Sequence, residues 1–367
     1  MRQQATVLAT APPEVRRNSH LPTVDVVIPC YNYGRFLPRC VSSVLSQRAV
    51  DKRILIIDDA SQDNSSEIGQ DLASQHDEIE FRRHSTNKRH IATYNEGLLD
   101  WSSASYVVLL SADDMLAPGA LERAVSIMEA DPTVGMVYGR TFHFHEETQL
   151  TEGPIDASGV QFTRYPGSEW LTKRFHAGYN VITSPEVVVR RSVHKAVGGY
   201  RKELPHSGDL EMWLRIAAVS DIAYLHHVQA YYRVHSSSMQ RTKYKTSFLD
   251  IVHRKAAFDL FVQHHPDVPH IHVLQRTLNR ILAREALWDA CRAYDRDRIE
   301  AADVEELVQF AMATDEDYEH LPEYFALQRR KRLGPAICNR TQIFVIPASI
   351  RWLDRRIKRT RMLQHGI

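Results

Sequence analysis

Two pairs of adjacent aspartates, Asp58 with Asp59 and Asp113 with Asp114, each close a short apolar run in this 367-residue chain. Neighbouring acids at the end of a buried strand repel one another unless cations or N–H donors meet them. The second pair follows Leu109, Leu110, Ser111 and Ala112. It offers the hard oxygen ligands that Mg²⁺ or Mn²⁺ takes from a protein in ones and twos, leaving its other positions to phosphates and water. Asp113 is the expected ligand and Asp114 its auxiliary, with capping of the helix that Pro118 opens as the competing role for Asp114. After the first pair, Ser61 and Asp63 suit capping of the next helix, which leaves Asp58 and Asp59 themselves unexplained. A fifth carboxylate, Asp209, stands where the loop ending Ser207, Gly208 becomes a helix; general base and N-cap are its two readings. Glu211 and Arg215 are spaced to pair on the surface of that helix.

Three further segments could meet a ligand. Pro29, Tyr31 and Asn32 form a strand end and turn in which an aromatic ring and an amide could face a planar base. Between Asn87 and Asn95, Lys88 and Arg89 precede a helix whose N-terminus suits a diphosphate, although solvated surface charge explains those two cations equally well. In Tyr231, Tyr232, Arg233, Val234, His235, alternation puts Arg233 and His235 on one face, and an imidazole there can ligate a metal or bind phosphate. His143 and His145, beside Glu146 and Glu147, have transition-metal spacing; in a chain with 19 histidines, solvent-facing strand residues are the favoured reading.

The elements that must position these groups alternate. Apolar runs predict strands at 24–29, 53–57, 79–83, 106–110 and 135–142, and helical spacing predicts helices at 36–45, 65–75, 91–101 and from 118 onward. That order argues for an open α/β sheet whose ligands lie beyond the carboxyl ends of the strands, where the strand order reverses. Residues 148–167 read as a long functional loop. A helix over 168–175, a strand over 186–190, a helix over 209–219 and an extended run over 224–234 follow. Beyond residue 245 only amphipathic helices recur. The organisation expected is a loose tail over 1–22, a catalytic domain over 23–242 and a helical region over 243–367.

Composition removes several function classes. With 46 basic against 45 acidic side chains, no global field recruits nucleic acid. The basic segment 351–361 suits a solvated helix face or contact with an anionic membrane surface. The four cysteines are scattered, without a CxxC pair, which favours a reducing, cytoplasmic compartment. No apolar stretch approaches the roughly 18 residues of a membrane span.

Taken in order, these segments resemble the family 2 inverting glycosyltransferases, over residues 24–239. The carrying motifs are the strand ending Pro29, Cys30, Tyr31, Asn32; the turn Asp58, Asp59, Ala60, Ser61, Gln62, Asp63; a D-x-D-type site at Asp113; Asp209 ahead of Trp213, Leu214, Arg215; and Tyr232, Arg233, Val234, His235. The resemblance implies a GT-A type fold, with a mostly parallel central sheet flanked by helices and a helical C-terminal region. It implies transfer of a sugar from a nucleoside-diphosphate sugar, a UDP-sugar foremost, to a hydroxyl of a glycan, a lipid-linked or a small-molecule acceptor, as in polysaccharide or cell-envelope assembly. Pro29, Tyr31, Asn32, Asp58, Asp59, Arg89, Asn95, Ala112 and Asp113 would contact the donor; Asp113, Asp114 and His235 would hold Mg²⁺ or Mn²⁺; Asp209 would be the base. Ser111 replaces the first aspartate of D-x-D and Gly208 the glutamate that often precedes the base, so a catalytically weakened nucleotide-sugar binder of the same fold is the alternative. A sugar nucleotidyltransferase would need a Gly-rich first loop, and residues 24–36 hold Gly34 alone.

Overall fold

A computed structural model describes residues 7–9, 20–150, 159–235, 247–299 and 303–341, together with 343, 344, 353, 356, 357, 360 and 364–367. The chain divides into two compact units. The first holds residues 1–171, 181–235 and 364–366; the second holds 172–180, 236–363 and 367. The domain boundary expected at 242/243 and most of the basic segment 351–361 lie outside the described residues.

The first unit is built on one ten-stranded sheet. Its strands are β1 (Val7–Ala9), β2 (Thr23–Cys30), β3 (Asp51–Asp58), β4 (Ile79–Arg83), β5 (Tyr106–Leu109), β6 (Met115–Leu116), β7 (Val134–Phe144), β8 (Gln161–Tyr165), β9 (Val188–Arg190) and β10 (Asp221–Arg233). The order is β1-β8-β10-β7-β9-β5-β2-β3-β4, with β6 against β10. β2 pairs in parallel with both β3 and β5, β3 with β4, and β7 with β10. β9 runs antiparallel between β5 and β7, so β2, β3, β4, β5, β7 and β10 all point the same way. Their carboxyl ends therefore share one edge. The chain leaves β2 toward β3 and β4, then crosses to β5 on the other side, which makes the end of β2 the point where the strand order reverses.

Helices α1 (Leu37–Leu45), α2 (Ser65–Gln75) and α4 (Ala120–Ala130) cover the sheet with Leu37, Val41, Val44, Leu121, Val125 and Met128 in one core with Val26, Ile28, Ile54 and Ile56. Asp25 is fully buried in β2, where it takes two N–H bonds from Arg53, at 2.9 and 2.8 Å, and the amides of Ser103 and Ala104 at 2.6 and 2.8 Å.

Most expected elements are present. Helix 91–101 is in fact α3 (His90–Asn95) continued as a π-helix over Glu96–Trp101. A Cβ at Gly97 would lie 2.3 Å from Val27 Cγ1, so only glycine lets this helix rest on β2. The polar stretch 148–167 is partly strand: β8 lies within it, residues 151–158 being outside the described set. Of the expected N-terminal tail, Val7–Ala9 pair with β8, and 1–6 and 10–19 lie outside the described set. Further helices are α5 (Gly167–Ala177), α6 (Arg191–Val197) and α7 (Gly208–Val219).

The second unit is helical, as expected, with helices at Ser247–His264, Ile271–Asp295, Val304–Thr314, Pro322–Leu333 and Pro335–Thr341. The longest buries Leu274, Leu278, Leu282 and Ala286 at helical spacing. Arg330 grips Asp295 with two N–H bonds, at 2.8 and 3.0 Å.

Candidate active site

Beyond the shared strand edge, three groups of side chains assemble. The first surrounds the ends of β2, β3 and β4. Asn32, at φ 59°, donates its amide to Ser61 Oγ and accepts the Gln62 amide on Oδ1, at 2.9 and 2.8 Å. Tyr31 beside it is 45% exposed and Pro29 half-buried. Asp59 receives His84 Nδ1 and the Lys88 amide on Oδ1, at 2.7 and 2.8 Å; Oδ2 carries no hydrogen bond among the described residues. Asp58 was expected against the donor, but it is wholly enclosed and accepts the Ser61 amide at 2.9 Å, with Arg83 Nε 3.5 Å from its other oxygen. It pins the turn from beneath. Arg89 lies on the surface at the entry to α3, at φ 69°.

The second group follows β5. Asp113 Oδ2 and His235 Nε2 lie 3.0 Å apart, each side chain slightly exposed. The imidazole is flanked by Tyr33 and Phe36, at centroid distances of 5.5 and 5.4 Å. Arg233, also buried, donates Nε to the Asp113 carbonyl at 3.1 Å and Nη2 to Glu147 at 2.8 Å. Its guanidinium is 4.5 Å from the Phe36 ring centroid.

Two of the expected site residues are buried here. Asp114 is buried and accepts the Arg233 amide on Oδ1 at 2.9 Å; burial, with the Asp113 charge, pushes its carboxyl well above the usual range. Through that bond it ties β10 to the turn after β5. Ala112, expected against the donor, is 0% exposed within the hydrophobic core.

No cluster of three or more His, Cys, Asp or Glu converges among the described residues. One carboxylate and one imidazole facing one another nevertheless fit a divalent cation that completes its shell with phosphate and water.

The third group is at α7. Asp209 Oδ2 accepts Ser184 Oγ at 2.5 Å, and the Tyr200 hydroxyl bonds the same carboxylate. Burial raises the Asp209 carboxyl, against the pull of those two bonds and of His90 and His206. The phenols of Tyr94 and Tyr232 are both pushed up, by burial first and then by Asp113, Asp114 and Asp209. The charges of Asp113 and Asp209, from the second and third groups, thus both act on these two phenols.

Beneath, Glu211 and Arg215 pair not on the surface but in the interior, at 2.8 Å. Arg215 also donates to the carbonyls of Val197, Gly198 and Gly199. Asn95, expected against the donor, bridges the Tyr200 backbone instead, accepting its amide at 2.7 Å and donating to its carbonyl at 2.8 Å. These contacts fix the Gly-Gly-Tyr turn and with it the hydroxyl on Asp209. His143 and His145 are exposed on and after β7.

Three residues had no signal of their own in the sequence: His84, Ser184 and Glu186. Glu186 is buried with its oxygens on the Thr183 amide and hydroxyl, at 2.7 and 2.8 Å. Among the described residues, eight non-glycine positions have positive φ, and four of them (Asn32, Ala60, Arg89, Ser184) ring this site. Strain of that kind persists where the surroundings over-determine it, commonly at functional sites.

The fold is of the GT-A type. It is similar to residues 1–349 of Staphylococcus aureus TarS in complex with UDP-GlcNAc, with TM-score 0.58 and 14% identity over 84% of this chain and 92% of that one. It is also similar to the mannosyltransferase PcManGT of Pyrobaculum calidifontis in complex with GDP-Man and Mn²⁺, with TM-score 0.53 and 16% identity over 91% and 88%. The sequence profile of glycosyl transferase family 2 matches residues 25–194. A curated relative, the chondroitin synthase of Pasteurella multocida, is 25% identical over 208 residues, 57% of this chain. The match spans only 20% of that relative's length. No helix among the described residues is long and apolar enough to cross a membrane.

Proposed function

We propose that the protein is an inverting glycosyltransferase that moves a sugar from a nucleoside-diphosphate sugar, UDP-sugars foremost, to a hydroxyl of a glycan or lipid-linked acceptor. The observation that carries this reading is Asp209: a half-buried residue whose carboxylate is oriented by Ser184 and Tyr200, and whose charge acts together with that of Asp113 on the Tyr94 and Tyr232 phenols. Tyr31, Asn32 and Asp59 receive the nucleoside and Arg89 the diphosphate. Asp209 takes the proton of the acceptor hydroxyl as its oxygen bonds the anomeric carbon, while the bond from that carbon to the diphosphate breaks and the electron pair leaves with the nucleoside diphosphate. A base so placed contributes roughly 10²–10⁴-fold.

Asp113 and His235 would hold Mg²⁺ or Mn²⁺, which when bound supplies positive charge to the departing diphosphate. A double displacement would need a second carboxylate facing the sugar. Glu186, close enough for its charge to act on Asp114, is enclosed with both oxygens engaged, which favours single displacement. In domain terms, residues 23–242 would carry the chemistry and 243–367 would form a helical appendage.

The test is a thermal-shift panel of nucleoside-diphosphate sugars with and without Mn²⁺, since a ligand of the native state raises apparent stability. A Mn²⁺-dependent rise with one donor, followed by its turnover on addition of acceptor, is expected. Absence of any response would overturn the reading, and binding without turnover would favour the weakened binder.

A further inference from the structure

We propose that His84 is a positioning residue for donor binding: it locks the carboxylate that reads the nucleoside and the loop that carries Arg89 into a single arrangement. The inference rests on the reading of Asp59 and Arg89 given above.

His84 follows β4, and its amide continues the β3–β4 ladder by donating to the Asp58 carbonyl at 2.9 Å. The position of its Cα is thereby fixed. Its side chain is buried, and each ring nitrogen faces a carboxylate: Nδ1 is 2.7 Å from Asp59 Oδ1 and Nε2 is 2.9 Å from Glu96 Oε2. Whichever tautomer is present, at least one ring N–H is donated to an acid.

Glu96 Oε2 also accepts Lys88 Nζ at 3.0 Å, and the Lys88 amide returns to Asp59 Oδ1 at 2.8 Å. The result is a closed circuit through Asp59, His84, Glu96 and Lys88. Despite partial burial, which alone would raise it, the Glu96 carboxyl is held below the usual range by the bonds from Lys88 and His84.

Two consequences follow from the circuit. Asp59 has one oxygen committed to the protein, so its Oδ2 is the atom offered to a ligand, at an orientation His84 sets. Lys88, held at both amide and amine, delivers the chain into Arg89 at φ 69° and ψ 160°, a conformation that side chains rarely adopt and that needs such restraint. Nucleoside and diphosphate recognition are therefore set by one imidazole. A purely structural pin would leave donor affinity alone once the protein is folded.

The experiment titrates UDP, GDP and inorganic pyrophosphate, each with Mn²⁺, into the wild-type full chain and into His84→Phe, His84→Asn and His84→Gln, with melting temperatures recorded. His84→Phe is expected to weaken the preferred nucleoside diphosphate about tenfold or more, the scale of a charged hydrogen bond. Pyrophosphate should weaken with it, and donor KM should rise while kcat stays near wild type. His84→Asn, whose amide reaches the Nδ1 side, should recover most of the affinity, and His84→Gln should not.

Nucleoside-diphosphate affinity within about twofold of wild type in folded His84→Phe would overturn the proposal, as would a fall in kcat at unchanged KM. Should His84→Phe not fold, equal affinities for Asn and Gln variants would overturn it in the same way. If the wild-type chain binds neither UDP nor GDP, it is the reading of the site itself that fails.

Discussion

The two halves of the site treat their acids in opposite ways. On the nucleoside side, carboxylates are met by donors. Partial burial alone would raise Asp63 and Glu96, yet bonds from Ser65 and Gly34 to the one, and from Lys88 and His84 to the other, hold both below the usual range. On the transfer side, burial dominates and Asp114, Glu186 and Asp209 are all raised. On the proposed function, the first half thus stays charged and fixed while reading a ligand. The second holds acids whose proton affinity is high, as a group that must take a proton from a hydroxyl requires.

The largest test of that contrast is Asp209→Asn. Transfer should fall by about 10²–10⁴ while calorimetric affinity for the nucleoside diphosphate stays within about twofold; a parallel loss of affinity would erase the distinction between the halves. The scaffold under the transfer side comes next. Arg215→Ala strands buried Glu211 and three carbonyls, and should cost about 3–5 kcal/mol in denaturant unfolding. A change under about 1 kcal/mol would show that Arg201, 2.9 Å from Glu211, suffices alone.

Asp113→Asn should then abolish the Mn²⁺ dependence of diphosphate binding and leave metal-free nucleoside binding unchanged. A Mn²⁺ response intact in the variant would remove Asp113 as ligand.

The smallest effect is also the most specific. As the proposed base, Asp209 acts deprotonated, so kcat is expected to rise with pH through its raised pKa. Ser184 donates to that carboxylate and lowers it; Ser184→Ala must therefore move the acidic limb of the kcat profile to higher pH. A limb that stays put or moves down contradicts the assignment of that limb to Asp209.

How much of this was legible in the sequence follows from which interactions are local. Asp113, Asp209 and the β2 turn announce themselves because strand end, acid and helix start are adjacent in the chain. Burial is not local. Ala112, Asp58 and Asp114 belong to the same motifs as Asp59 and Asp113, and only packing against the α1 and α4 core and against β10 decides what each side chain meets.

The role of Asn95 is set by Tyr200, 105 residues away, and that of Ser184 by Asp209. No window of sequence joins them. His84 looks like any polar residue after a strand until Asp59, Glu96 and Lys88 close around it. The α/β alternation was readable from apolar runs, whereas the antiparallel insertion of β9, three residues long, leaves too short a pattern to detect.

The central claim is direct displacement with Asp209 as the only base. The measurement that bears on it most directly is the anomeric configuration of the first-formed product, read by proton NMR before mutarotation or further processing. Inversion relative to the donor sugar is the result this mechanism predicts. Retention would contradict it, and would require a nucleophile facing the sugar that Glu186, enclosed and fully bonded, does not provide.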